Sequence, residues 1–309
     1  MARSVRWSPA CGGCASMPDA ARGPQGLRTI LLTTVAMLAF AANSLLCRLA
    51  LQHKGIDPAS FGSVRLVAGA LMLGLIVRFR AQPQASPARV DWLAAVMLFG
   101  YVAFFSFAYL SLPAGTGALI LFGAVQLTMF GVGLRSGTER FGALAWLGFA
   151  MAAGGLVYLV LPGIAAPPLL GAALMAVAGV AWGVYSLRGR GVADPLAATA
   201  RNFTRAVPLA LALSLVFAAS ARADATGLVL AVASGALTSG LGYVVWYAAL
   251  SRLGAMRAAT VQLSVPLLAA FGGVLFLSEA ITPRLAAASV AILGGIALVL
   301  GQKARSARP

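Results

Sequence analysis

The sequence predicts an all-α integral membrane protein whose ten transmembrane helices form two inverted five-helix repeats. Composition determines the class, since 61% of the 309 residues are hydrophobic and 10% are charged, against about 25% charged in soluble domains. Apolar runs predict the ten spans, and similarity between segments 140 residues apart predicts the repeat. The net charge of +16 is scattered between the apolar runs, which favours a role in membrane topology over nucleic-acid binding.

The two ends of the chain are predicted to be cytoplasmic tails. Residues 1–27 are rich in Gly, Pro and Arg and lack the apolar core of a signal peptide, so we expect a flexible tail there. Residues 301–309 are predicted to form a short basic tail. Cys11 and Cys14 have no second cysteine pair and no histidine nearby, so no metal site and no cofactor are predicted.

Each span needs about 20 apolar residues, because a helix rises about 1.5 Å per residue and the hydrocarbon core is about 30 Å thick. The uncharged run Trp92–Leu134 has 43 residues and is therefore divided into spans 3 and 4 at the turn around Pro113. The run Phe141–Leu187 is divided into spans 5 and 6 at Leu161–Pro168. The other predicted spans are Thr29–Cys47, Pro58–Val77, Asn202–Ser220, Thr226–Leu250, Ala258–Leu277 and Leu285–Leu300.

Orientation follows from the distribution of Lys and Arg. If the N-terminus is cytoplasmic, 17 of these residues lie in inside segments and 4 in outside segments, as the positive-inside rule requires. Both termini are therefore predicted to be cytoplasmic in a multi-pass membrane protein.

The repeat is clearest where Tyr109–Phe141 recurs as Ala249–Ile281 without a gap. Both copies end an apolar run with a small polar residue and a glutamate, Glu139 and Glu279. The predicted repeats are residues 29–161 and 168–300, each with five spans. Because five is odd, the second copy crosses the bilayer in the opposite direction, which is the architecture associated with alternating access.

The segments AYLSLPAGTGALI and AALSRLGAMRAATVQLSVPLLAAFGGVLFLSEAIT, within residues 29–300, resemble EamA-type transporters of the drug/metabolite transporter superfamily. The second copy is the more specific, since Pro266 and Ser278-Glu279 stand where that family has a helix proline and a Gly-Glu. The first copy departs from the pattern, with Gln126 at the position equivalent to Pro266. The resemblance implies export of small metabolites, amino acids or drugs from a bacterial cytoplasm through the inner membrane, without ATP.

Several polar and aromatic residues within the spans are candidates for lining a substrate cavity. Arg65 is either an anion-coordinating group on the cavity wall or an arginine that snorkels to the outer headgroups. Buried amides either line the cavity or bond a neighbouring helix, and mid-span aromatics either contact substrate or anchor helices. These further candidates are Asn43, Gln126, Gln262, Tyr101, Trp182, Tyr185, Tyr243 and Trp246.

Four residues are predicted to have structural roles: Pro113, Glu139, Pro266 and Glu279. Pro113 marks a turn, and Pro266 predicts a kink in span 9 that Gln126 does not produce in span 4. The glutamates end their spans, where we expect them to cap helices or to pair with nearby arginines, such as Arg140 and Arg284. No Asp or Glu lies deep in any span, so the sequence does not indicate an intramembrane proton relay.

A secondary transporter is the function that the repeat favours, with a small-molecule substrate and the lipid bilayer as partners. An integral-membrane enzyme or a non-transporting scaffold is the alternative. His53 is the single histidine and lies in a predicted outer loop without paired carboxylates, so no acid–base site is predicted. The sequence is compatible with a monomer or a homodimer.

Overall fold

The computed structural model describes residues 24–80, 91–135, 142–253 and 255–306, and the described residues form ten membrane-length or near-length helices without a β-sheet. A 3-10 turn at Ala218–Ser220 follows the seventh helix. The helices are α1 (Pro24–Gln52), α2 (Pro58–Arg78), α3 (Trp92–Ala108), α4 (Ala114–Arg135), α5 (Ala143–Val160), α6 (Leu169–Arg188), α7 (Pro195–Val216), α8 (Ala225–Ala233, Ser234–Leu241 and Gly242–Leu250), α9 (Ala255–Gln262 and Ser264–Leu277) and α10 (Pro283–Ser306).

The helices confirm an all-α integral membrane fold. Eight of them in the described chain are long and apolar enough to cross a membrane; α3 is shorter, with 17 residues, and α7 carries Arg201 and Arg205. Their outward faces expose large apolar side chains, as lipid contact requires. Examples with more than two thirds of their surface exposed are Leu71, Leu170, Val216, Phe276 and Val290.

Some predicted boundaries were wrong. The predicted tail 1–27 overlaps α1, which begins at Pro24, and α10 extends through Ser306 into the predicted tail 301–309. Span 7 was predicted from Asn202, whereas α7 begins at Pro195. The apolar count measures only the part of a helix that lies in hydrocarbon, and a helix can continue into the aqueous layer as long as its backbone groups are satisfied.

Aspartates determine where four helices begin. Asp57 precedes α2 and its carboxylate accepts hydrogen bonds from the backbone N–H groups of Ala59 (3.1 Å) and Ser60 (3.0 Å). Three other aspartates accept one such bond each from the first turn of the helix that follows. They are Asp91 before α3, Asp194 before α7 and Asp224 before α8. Such caps satisfy N–H groups that have no partner within the helix.

Two helices of the second copy are irregular. Residues Ser234–Leu241 of α8 form a π-helical segment, and α9 is interrupted at Leu263. Pro266 explains the interruption, because proline lacks an N–H group and its ring clashes with the carbonyl four residues earlier, that of Gln262. The equivalent helix α4 is continuous past Gln126. The structure also places Pro208 inside α7.

The two five-helix copies, α1–α5 and α6–α10, make equivalent contacts. Helix α1 packs on α9 as α6 packs on α4, and α1 packs on α8 as α6 packs on α3. Helix α2 packs on its own counterpart α7, and α5 on its counterpart α10. The core of the molecule is therefore a junction between the copies, and a movement of one copy against the other would repack all these contacts together.

Helices α5 and α10 cross at two glycines. A Cβ atom on Gly295 would lie 2.4 Å from the carbonyl oxygen of Gly148 and 2.7 Å from the backbone N of Ala152. Backbone atoms cannot move aside as a flexible side chain can, so this crossing requires glycine.

We expect Gly295→Ala to lower the melting temperature of the purified protein, by about 5 °C if overpacking costs its usual 1–3 kcal/mol. The neighbouring Gly294 is the matched control, because a Cβ there meets nothing within 4 Å. Gly294→Ala should leave the melting temperature unchanged or raise it. Equal melting temperatures for both variants would show that the crossing is not close-packed.

Candidate functional site

Contacts between helix ends define two faces of the molecule. At the face where α1 begins, Arg80 pairs with Asp194 (3.3 Å) and Arg188 with Asp91 (2.9 Å). At the other face, the loop before α2 is joined to the loop before α8, where the Asp57 carboxylate accepts a bond from the N–H of Arg222 (3.1 Å). We call these the N-terminal face and the opposite face.

A cavity of about 1000 Å³ opens at the N-terminal face. Its mouth includes Asp91 at the start of α3, Gly133 near the end of α4, the α6–α7 loop and Leu300 near the end of α10. Its walls are largely apolar and aromatic, with a few polar groups, which is how small-molecule sites are usually built. Six of the predicted cavity residues line it, namely Gln126, Trp182, Tyr185, Tyr243, Trp246 and Gln262.

The inner end of the cavity is aromatic. The ring of Trp182 on α6 lies 5.8 Å from that of Tyr243 on α8 and 5.4 Å from that of Tyr185, measured between centroids. Phe40 of α1 contacts Tyr243 and Trp246 edge-on, at 6.0 and 5.9 Å. These rings provide a large apolar surface at the depth where a bound molecule would be held.

A cluster of hydroxyl groups lies beside these rings and joins three helices. Thr199 of α7 shares a 2.8 Å hydrogen bond with the Tyr247 hydroxyl and accepts a 3.4 Å bond from the Tyr185 hydroxyl. The prediction missed Thr199 and its neighbour Asn202, which also lines the cavity. A signal is present in the sequence, because Thr199, Asn202 and Arg205 recur every three residues and so share one helix face. The predicted span begins at Asn202 and therefore does not include Thr199.

Arg65, Asn43 and Tyr101 were predicted to line the cavity, and in the structure they lie outside its wall. Tyr101 is behind Trp182, with ring centroids 4.7 Å apart. Its hydroxyl accepts a 3.1 Å bond from Nη2 of Arg65 and a 3.4 Å bond from Nδ2 of Asn43. The aromatic rings separate this polar network from the cavity, which hydropathy cannot reveal.

The snorkelling interpretation of Arg65 is wrong, because its side chain is buried. The residue is 2% exposed, its Nε donates to the Ser239 hydroxyl in the π-helical segment (3.3 Å), and its guanidinium carbon lies 5.2 Å and 5.0 Å from the ring centroids of Tyr101 and Phe105. Its Nη1 is buried and has no hydrogen-bond partner among the described residues. Burying an arginine without a carboxylate is costly, and the cation–π contacts offset part of that cost.

Asn43 connects Arg65's network to α8. Its Oδ1 accepts hydrogen bonds from the hydroxyls of Ser234 (2.7 Å) and Thr238 (3.3 Å). The amide therefore bonds a neighbouring helix, the second of the two roles considered for it. Because Ser234, Thr238 and Ser239 lie in the π-helical segment, the irregular turn of α8 is what presents three hydroxyl groups to α1 and α2.

The opposite face is closed by a network around Glu279, which follows α9. One carboxylate oxygen accepts a 3.2 Å bond from Nε of Arg48, at the end of α1. The other accepts a 2.8 Å bond from the backbone N of Ala114, the first residue of α4. Arg48 also donates to the carbonyl oxygens of Tyr109 (3.0 Å) and Leu110 (3.2 Å) at the end of α3. We call this four-helix network the Arg48–Glu279 latch.

The predicted arginine partner of Glu279 was wrong. Arg284 instead donates from Nε to the carbonyl of Tyr158 (3.2 Å) and from Nη1 to that of Ile164 (3.3 Å), at the end of α5. A helix end attracts cations to its free carbonyl groups, and proximity in sequence could not distinguish that partner from Glu279. Pro113 lies in the predicted turn, directly before α4, and Glu139 and Arg140 lie outside the described residues.

Asp91 and Arg188 neutralise each other at the cavity mouth. Burial alone would raise the pKa of the Asp91 carboxyl. The hydrogen bond and charge of Arg188, together with the backbone N–H of Ala94, outweigh that effect, so its pKa lies below the usual range. The carboxylate is therefore ionised at neutral pH and is already occupied by a cation.

These features define the class of protein: a multi-span membrane protein with a central cavity that reaches one face and is closed toward the other. Residues 169–301 match the EamA-like transporter family, which is the second of the two copies. These residues form an EamA-like transporter family domain, and that family is part of the drug/metabolite transporter superfamily.

Two comparisons cover nearly the whole chain. The Pseudomonas aeruginosa protein named "Uncharacterized protein PA1977" is 56% identical over 282 residues, which are 91% of this chain and 98% of that protein. A solved structure described as "Crystal structure of protein" has a TM-score of 0.61 and 21% sequence identity, and covers 88% of this chain and 96% of its own. The latter supports the fold alone.

Proposed function

We propose that this protein is a secondary transporter that exports small organic molecules from the cytoplasm by alternating access. The observation that carries the proposal is the asymmetry of the two faces: the cavity opens at the N-terminal face, while the Arg48–Glu279 latch joins four helices at the opposite face. Two copies of one helical unit with opposite orientations have a second arrangement of similar energy, open on the other side.

The N-terminal face is proposed to be cytoplasmic, because the sequence assigns 17 Lys and Arg residues to the side of the N-terminus and 4 to the other side, as the positive-inside rule requires. The cavity would then load substrate from the cytoplasm, and opening of the latch would release it outside. We propose that the protein lies in the inner membrane, a proposal supported by the multi-pass fold and the bacterial relative.

The test of function is transport by the purified protein in proteoliposomes, supplied with a broad panel of metabolites. We expect saturable flux of a subset, with no requirement for ATP. An untargeted comparison of secreted metabolites between overexpressing and deleted cells selects the panel. Correctly folded protein that moves nothing would contradict the proposal, and chemical conversion of a substrate without movement would favour the membrane-enzyme alternative.

The orientation is tested by cysteine labelling in intact cells. In a background without native cysteines, Lys54→Cys is expected to react with a membrane-impermeant maleimide added outside, because it lies in the loop between α1 and α2 at the opposite face. Gly191→Cys, in the α6–α7 loop, should react only after the membrane is permeabilised. The reverse pattern would show that the chain is inserted the other way.

A further inference from the structure

We propose that the cavity is selective for organic anions, specifically for a molecule with an apolar or aromatic body and a carboxylate or similar anionic group. This inference rests on the proposed transport function and assigns its substrate class. The evidence is the charge inventory of the described residues together with the shape of the cavity walls.

The acidic residues are already engaged. In the described part of the chain each one lies at a helix end, where it bonds backbone N–H groups that have no partner in the helix. A cation or an ammonium group in the cavity would meet Asp91 alone among them, and Asp91 is paired with Arg188. The described acidic residues, each followed by the helix that it caps, are Asp57 (α2), Asp91 (α3), Asp194 (α7), Asp224 (α8) and Glu279 (α4).

Apart from Arg188, the basic residues of the described cavity lining have no carboxylate partner. Arg190, Arg201 and Arg205 line the cavity, and none of the three makes an ion pair with a described residue. Arg201 and Arg205 are four residues apart on α7, so they lie on one face of that helix. Both are partly buried. A guanidinium group that has lost part of its water gains most from an anion that it can bond in two places.

Arg65 adds a positive charge at the inner end of the cavity. Its guanidinium lies behind Tyr101, which stacks on the cavity residue Trp182 at 4.7 Å, and no carboxylate is paired with it within the described chain. Charges interact strongly across a weakly polar interior. An anion drawn in by Arg201 and Arg205 therefore moves toward a second positive group, whereas a cation is opposed at both ends.

The uncharged walls specify the rest of the ligand. Trp182, Tyr243 and Trp246 offer flat apolar surfaces, and the hydroxyl cluster of Tyr185, Thr199 and Tyr247 offers a few hydrogen bonds. Such walls suit an aromatic or branched apolar body with one or two polar substituents. An ammonium group gains cation–π contacts from these rings, but the described lining holds no carboxylate other than Asp91, which is paired with Arg188.

The test uses the purified full-length chain in phosphatidylcholine nanodiscs and two probes of similar size with permanent charges, benzenesulfonate and benzyltrimethylammonium. Binding is measured by quenching of intrinsic tryptophan fluorescence, with Trp182→Phe showing which part of the signal comes from the cavity. We expect saturable binding of benzenesulfonate and at least tenfold weaker binding of the cation. Arg201→Gln and Arg205→Gln should each weaken anion binding by about tenfold.

Arg80→Gln is the matched control. It removes one positive charge from the same face, but Arg80 is paired with Asp194 and lies outside the cavity lining, so anion affinity should be unchanged. Binding of the cation as tightly as the anion, or no saturable anion binding at millimolar concentration, overturns the proposal. Anion binding that is unaffected by either glutamine substitution also overturns it.

The arginines could alternatively hold lipid phosphate, and adding phosphatidylglycerol to the nanodiscs separates the two sources. Displacement of benzenesulfonate by that lipid, with the same loss in both variants, would assign the site to headgroups. Transport assays distinguish failure of the two proposals. Flux of cations but not of anions would support the transport function and reject anion selectivity. Anion binding without flux of any compound would support an anion site and reject the transport function.

Discussion

Arg65→Met is expected to abolish transport while leaving the protein folded and inserted. Methionine has a similar length and no charge, so it fills the same space and removes a buried cation whose Nη1 has no partner among the described residues. Replacing a poorly compensated buried charge by an apolar group is often neutral or stabilising. Tyr101 keeps a hydrogen bond to Asn43 in the variant. The variant removes the positive charge at the inner end of the cavity, so an anionic substrate loses an attraction that acts through the weakly polar interior.

The decisive comparison is between methionine, alanine and lysine at this position. Arg65→Ala should also be inactive, whereas Arg65→Lys should recover part of the transport because it restores the positive charge. Membrane abundance and melting temperature are measured for each variant, so that loss of activity is separated from loss of folding. Equal transport by the wild type and all three variants would reduce Arg65 to a packing residue.

Replacing Glu279 by alanine is expected to open the opposite face and to slow transport. The carboxylate bonds both Arg48 and the first backbone N–H of α4, so alanine removes two contacts between helices that must part when that face opens. The side chains of Arg48 and Glu279 are mostly buried, with 18% and 13% of their surface exposed, respectively. Loss of a charged hydrogen bond costs about 1.5–3 kcal/mol, enough to change the ratio of two conformations by about tenfold or more.

A cysteine beneath the latch reports the opening. Ala118 of α4 is fully buried, so Ala118→Cys should be unreactive toward an impermeant maleimide added from outside. It should become reactive when combined with Glu279→Ala. Arg284→Gln is the control, because Arg284 lies at the same face and bonds the end of α5. Reactivity that is unchanged by Glu279→Ala would show that other contacts hold this face closed.

Glu279→Gln distinguishes the contributions of the two contacts of the latch, the ion pair with Arg48 and the hydrogen bond from the N–H of Ala114. Its amide oxygen can still accept from the N–H of Ala114, but the charge that attracts Arg48 is lost. Reactivity of Ala118→Cys close to that of the alanine variant would assign the closure to the ion pair. Reactivity close to that of unmodified Glu279 would assign it to the cap on α4.

Several features were predictable because they depend on neighbouring residues. The turn at Pro113 and the interruption that Pro266 causes follow from proline's missing N–H and fixed ring. Helix starts at Asp57, Asp194 and Asp224 are local as well, since a cap bonds N–H groups two or three residues ahead. Reading Asp194-Pro195 as a cap followed by proline would have corrected the predicted start of α7.

The membership of the candidate site was only partly predictable, because it depends on which helix faces meet. Trp182, Tyr185 and Tyr243 line the cavity, whereas Tyr101, equally aromatic and near mid-span, lies one layer behind Trp182. The apolar patterning does not distinguish these positions. In a membrane, the faces turned to lipid and to other helices are both apolar, so the period of hydropathy does not report which face is buried.

The sequence by itself determined the class, the approximate positions of the ten spans and the two-copy arrangement, because composition, helix-breaking residues and internal similarity are all properties of the linear sequence. The tertiary structure alone decided that Glu279 joins Arg48, 231 residues away, that Arg65 is buried behind the cavity, and that Arg201 and Arg205 line it. The physical reason is that a charged side chain pairs with groups that helix packing places within a few ångströms of it, and the linear sequence does not specify those distances.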